Sequence, residues 1–252
     1  MKNPKLLLGA VAICLCLAVQ AKSQTVTGVT GTFHDLNHDA SFGVGPVNTR
    51  HFTGEVCLPC HTPHSAPQLG GDLLWNHTVT ATATTYKLYN SAHTTENSST
   101  TSANPELDNA SLMCLSCHDG SIALDSYGGG SPVTGAPSGG KITWGLVSSA
   151  TDSTDLTADH PLGIGYPGVP AGTTVTSFTG TGPALDFVDP TSSAAFKYGS
   201  GVGGIPAVKL VSLPNGYMGV GCTSCHEPHD FSQVYMRVSN NGSKLCLSCH
   251  IK

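Results

Sequence analysis

Eight of the ten cysteines fall into four identical spacings, Cys57-Leu-Pro-Cys60-His61, Cys114-Leu-Ser-Cys117-His118, Cys222-Thr-Ser-Cys225-His226 and Cys246-Leu-Ser-Cys249-His250. Thiols three residues apart lie on one side of a helical turn, so both can reach one edge of a flat ligand. A histidine directly after the second thiol is an axial ligand for a metal at that ligand's centre. C-x-x-C-H is therefore the attachment site of haem c, with two thioethers and one iron–imidazole bond. Disulfides leave the four histidines unexplained, and a zinc Cys₄ site does not need them. The cofactor expectation is four haem c, held by Cys57, Cys60, Cys114, Cys117, Cys222, Cys225, Cys246 and Cys249.

Four irons have eight axial positions. His61, His118, His226 and His250 are the proximal ligands, and eight further histidines remain: His34, His38, His51, His64, His77, His93, His160 and His229. Met113, Met218 and Met236 are alternatives, but Met113 abuts Cys114 and cannot reach across that haem. With histidine so plentiful, bis-histidine ligation is the economical reading. His64 and His229 each follow a proximal histidine by three residues, too few to pass around a porphyrin edge. Pro63 and Pro228 also push Thr62 and Glu227 out of helical geometry. Any iron these two histidines bind belongs to a different motif. His160 has Asp159 before it as a candidate acceptor to orient its ring. His34 is a candidate on the same grounds and His77 an alternative, whereas His38, His51 and His93 read as solvated loop residues.

The elements that must position these groups are sparse. Charged residues make up 11% and aromatics 6% of the 252 residues, with 30 glycines and 16 prolines. Such a chain buries little apolar surface against its ordering entropy. The expected fold is mostly irregular coil, with short helices at the C-x-x-C-H sites, a few short strands and a core formed by a stacked haem chain. Asp108 or Asn109 reads as the N-cap of a helix at the second site. Short strands are expected at 26–32, 141–147 and 207–213. Asp35-x-Asn37-x-Asp39 lacks the glycine a calcium loop needs at its turn and reads as a loop.

The motifs repeat. The first and third sites read C-x-x-C-H-x-P-H, and the second and fourth read C-L-S-C-H. The chain is two copies of a doubled module, 34–126 and 216–252, separated by a Gly/Ser/Thr-rich insertion at 127–215. Residues 1–21 read as a signal peptide, with basic Lys2 and Lys5, an apolar run and a Val19-Gln20-Ala21 cleavage site. Residues 22–252 form the exported domain, with no membrane insertion after cleavage. Removal of the signal leaves 9 basic and 16 acidic residues, a formal charge of −7, which argues against nucleic acid as a partner.

The run His34-Asp-Leu, C-x-x-C-H-T-P-H at 57–64, Leu74-Trp-Asn, C-L-S-C-H-D-G at 114–120, Asp159-His-Pro, C-T-S-C-H-E-P-H at 222–229 and C-L-S-C-H at 246–250 resembles the doubled C-x-x-C-H multihaem cytochromes. It is most similar to the tetrahaem cytochromes that polymerise into extracellular conductive filaments. Within 127–215 only His160 takes part in the resemblance. The resemblance implies bis-histidine haems in a continuous row and favours His34, His64, His160 and His229 as distal ligands over His77. It also implies that one haem takes its distal ligand from a neighbouring subunit, with His64 in the donating position. The expectation is then an electron carrier rather than an enzyme, at the cell surface or outside it. Its partners would be copies of itself, redox partner cytochromes and an extracellular acceptor. A monomeric periplasmic tetrahaem shuttle is the alternative, and a multihaem reductase the third reading.

Overall fold

The longest element forms where the sequence supplies a cap. Asp108 has extended backbone and its side chain accepts from the Ser111 amide, so helix α1 (Asn109–His118) starts directly after it. Of the two expected caps, Asp108 is the one used. Leu112 and Leu115 of α1 pack with Leu107, Tyr86 and Leu156 in a small buried cluster. Tyr86 also donates its hydroxyl to the Asp119 carboxylate at 2.7 Å, which ties the preceding polar tract to the end of the helix.

The computed structural model describes residues 28–36, 55–66, 73–79, 86–89, 106–128, 142, 146–147, 154–166, 208–230 and 234–250. The expected signal segment, His38, His51 and His93 lie outside these residues, as does most of the expected 141–147 strand. Two two-residue ladders occur. β1 (Lys87–Leu88) pairs parallel with β2 (Asp155–Leu156), and β3 (Val211–Ser212) pairs antiparallel with β4 (Met218–Gly219). β3 falls within the strand expected at 207–213. No strand forms at 28–32, contrary to expectation. The chain turns there instead, with the Thr32 amide on the Val29 carbonyl and the Asp35 carboxylate taking the Gly31 amide at 2.8 Å. Gly31 sits at φ 76°, a left-handed turn that an extended strand would not contain.

Two short helices follow at the tail, α2 (Cys222–Cys225) and α3 (Lys244–Leu247), the second led in by a 3-10 turn at Asn241–Ser243, and most of the remaining described chain is turns and coil. No described helix is long and apolar enough to cross a membrane. The insertion is built into this framework. The Lys87 amide binds the Thr154 carbonyl, the Glu106 amide binds the Gly163 carbonyl, the Gly163 amide binds the Val220 carbonyl and the Tyr166 amide binds the Met218 carbonyl. Residues 154–166 therefore join the approach to the second site to the approach to the third.

Candidate functional site

All four C-x-x-C-H units form one helical turn. The histidine amide binds the carbonyl of the first cysteine at 2.8 Å in His61, 3.0 Å in His226 and 2.8 Å in His250, while the 114–118 unit is the last part of α1. Each turn brings its two thiols to one side, as the spacing predicts.

The sequence repeat is also a structural one. His61 bridges antiparallel to Trp75, and His226 bridges antiparallel to Met236. The hydrogen bonds correspond: Thr62 amide to Leu74 and Asn76 amide to Cys60 in the first copy, Glu227 amide to Tyr235 and Arg237 amide to Cys225 in the second. Leu74 and Tyr235 both take positive φ, 49° and 63°. The next residue closes the unit with its side chain. Asn76 Nδ2 donates to the Leu58 carbonyl at 2.6 Å, and Arg237 Nε donates to the equivalent Thr223 carbonyl at 2.8 Å.

Successive sites stand side by side. Cys60 lies close enough to Cys117, and Cys249 to Cys225, to raise the cost of ionising Cys117 and Cys225. Cys114 and Cys222 are hydrogen-bonded to one another, which pushes the Cys114 thiol up and the Cys222 thiol down. Ser111 of α1 reinforces this junction, its Oγ accepting from the Cys222 amide at 2.9 Å. Burial pushes Cys60 and Cys249 up to about 11 and Cys117 and Cys225 up to about 12. None of these eight thiols is engaged in a disulfide.

The histidines gather in pairs drawn from different parts of the chain. Ring centres are 6.0 Å apart for His34 and His118, 6.1 Å for His61 and His229, and 6.3 Å for His160 and His250. Two imidazoles on opposite sides of one metal, each bonded at about 2 Å, have ring centres roughly 6.3 Å apart. In each pair one ring belongs to a C-x-x-C-H motif and the other does not. His229 faces His61, not the histidine of its own motif, as the three-residue argument requires. Among the described residues no ring pairs with His226 in this way, and His64 is exposed without such a partner.

The ring nitrogens point to the same division. Nδ1 donates to a fixed acceptor in His34 (Pro228 carbonyl, 3.1 Å), His61 (Leu73 carbonyl, 2.7 Å), His160 (Pro161 carbonyl, 3.1 Å) and His229 (Glu227 Oε1, 3.1 Å). A proton held on Nδ1 leaves Nε2 with its lone pair, the tautomer a metal ligand needs. Asp159 does not orient His160, contrary to the sequence expectation. The proline carbonyl that follows does so at 3.1 Å, while burial and the neighbouring Asp155 raise the pKa of the Asp159 carboxyl.

His77 is built differently. It is 1% exposed, with Nδ1 2.9 Å from the Thr78 carbonyl and Nε2 3.0 Å from the Ala123 carbonyl. Both nitrogens face carbonyl oxygens, of which the neutral ring donates to one, and burial lowers its pKa below the ordinary 6.5. The folded ring thus binds fewer protons than the unfolded one, so its contribution to stability is present above pH 6.5 and is lost as pH falls through the lowered folded value. Urea unfolding midpoints of a His77→Gln variant should fall less between pH 7 and pH 5 than those of the parent chain.

The residues fit haem c. Besides the thiol pairs and spaced imidazoles, the Trp75 indole N–H is buried with no hydrogen-bond partner while its ring packs edge-on to His61 at 5.8 Å. A group bringing carboxylate acceptors to this place would satisfy it. Among the described residues, no three histidine, cysteine or carboxylate groups converge as a zinc site would require. Sequence reasoning gave no site role to Trp75, Glu227 or Arg237, because the contacts of the first and third are set by the bridges that follow the motifs.

Residues 216–252, which contain the third and fourth sites, match the family model for the doubled CXXCH motif. No curated protein matches the chain. The match supports a multihaem c-type cytochrome that binds haem c covalently and takes part in electron transfer.

Proposed function

We propose that the chain is a tetrahaem cytochrome that carries electrons through a row of bis-histidine haems, as the subunit of an extracellular conductive filament. The observation that carries this reading is the set of three imidazole pairs, His118 with His34, His61 with His229 and His250 with His160. They account for every motif histidine except His226, and for every favoured distal histidine except His64. One motif lacks a second ligand within the described chain, and one exposed histidine lacks an iron. His64 of one subunit completing the His226 site of the next resolves both.

Haem, when bound, would supply one-electron transfer. The chain's own residues do the remaining work. The cysteine pairs would anchor each porphyrin edge, the backbone carbonyls and Glu227 would hold the imidazole tautomers, and the Cys222 amide on Ser111 Oγ would keep the second and third sites close. Export through residues 1–21 and a location beyond the cell follow from the same reading, with redox partner cytochromes as donors and an extracellular acceptor at the far end.

Negative-stain microscopy of material sheared from the cell surface tests the proposal. Straight fibres containing this chain are expected. Monodisperse particles carrying four haems would favour the periplasmic shuttle instead.

A further inference from the structure

The four Nδ1 hydrogen bonds described above are not equivalent. His34, His61 and His160 donate to neutral backbone carbonyls, whereas His229 donates to a carboxylate, Glu227 Oε1, at 3.1 Å. That carboxylate is itself held. Its other oxygen accepts from Arg237 NH2 at 2.7 Å, and the Arg237 side chain is only 3% exposed. Arg237 cannot drift, because its Nε also donates to the Thr223 and His226 carbonyls at 2.8 and 3.1 Å.

A carboxylate acceptor draws the Nδ1 proton further than a carbonyl does, and leaves more negative charge on Nε2. A ligand richer in charge stabilises ferric over ferrous iron and so lowers the potential of the haem it serves. From this geometry we infer that Glu227, clamped by Arg237, is a positioning residue that makes the His61–His229 haem the lowest-potential member of the row. This rests on the bis-histidine reading above. The module repeat sharpens it, since the first copy has Thr62 where the second has Glu227, and Thr62 spends its hydroxyl on the His64 carbonyl at 2.9 Å. His64 therefore has no such carboxylate at the equivalent place.

The test is spectroelectrochemical titration of the haem-loaded chain and its Glu227→Gln variant. Gln keeps the shape and an acceptor oxygen, so haem attachment should be retained. The lowest of the four steps should rise by on the order of tenfold in its reduction equilibrium, about 59 mV for one electron, with the other three unmoved. The low-spin electron paramagnetic resonance signal of that haem should change with it. As a reciprocal arm, Thr62→Glu places a carboxylate beside His64, and one step of the assembled protein should move down. No shift in Glu227→Gln, or an equal shift of all four steps, would overturn the inference. Haem content by pyridine haemochromogen and the bis-histidine absorption spectrum separate the two levels: a parent chain without four low-spin haems would sink the underlying reading, whereas four such haems with an unmoved lowest step sink only the role of Glu227.

Discussion

A His64→Ala chain is expected to keep four covalently attached haems and to lose assembly. The thioether cysteines and motif histidines are untouched, and His64 is exposed, so neither folding nor haem attachment depends on it. What it removes, on the proposed reading, is the one imidazole that crosses between subunits. Loss of that bond should weaken association by at least on the order of 100-fold, roughly 2.8 kcal/mol. A second readout locates the effect. One iron per chain should gain an open face, so carbon monoxide should bind promptly at one haem of the reduced variant and at none in the assembled parent. Ordinary fibres from the variant would remove His64 from the interface. Prompt carbon monoxide binding by the assembled parent would count against a carrier without open irons.

Gly163→Ala should be a strongly damaging substitution outside the C-x-x-C-H motifs. Gly163 has φ 70°, where a Cβ is disfavoured, and an added Cβ would lie 2.7 Å from the Glu106 carbonyl oxygen and 2.8 Å from its carbon. Both neighbours are backbone and cannot rotate away. The left-handed strain and the overpacking together should cost on the order of 3 kcal/mol. The damage spreads because Gly163 accepts from the Glu106 amide and donates to the Val220 carbonyl, joining the entrances to α1 and α2. Guanidinium unfolding of the haem-loaded variant should show the lower midpoint with four haems still bound. An unchanged midpoint would mean that the 154–166 segment does not brace the two modules.

Much of the site was legible in the chain because its chemistry is local. A C-x-x-C-H spacing determines a turn within five residues, and Asp108 announces its helix within four. The expectation that His229 would stand apart from the histidine of its own motif needed only bond lengths and a proline, and its ring lies against His61. Reading stopped where contact depends on distant backbone. Nothing in Phe33-His34-Asp35 reveals that its ring stands opposite His118, because the Pro228 carbonyl and Tyr235 hydroxyl that seat it lie about 200 residues away. His160 was placed for the wrong reason, since residue type favoured Asp159 and geometry used Pro161. His77 resembled a ligand in sequence and is a buried ring between two carbonyls, a difference only burial reveals. The bracing role of Gly163 was invisible, as one glycine among 30 carries no mark of what approaches it.

The paired bridges, His61 with Trp75 and His226 with Met236, have a consequence for symmetry. They make the two halves of the chain local copies, and His229 of the later copy reaches back to the motif histidine of the earlier one. If His64 reaches to His226 of another subunit, it repeats that same step across a gap in the polypeptide. The subunit boundary would then be a break in covalent connectivity but not in the translational order of the row. An open head-to-tail polymer built this way has a pseudo-repeat of half a chain. An electron moving along it would meet a similar pair of imidazoles at each crossing, and would distinguish inside from between only by the carboxylate that one crossing has and the other lacks.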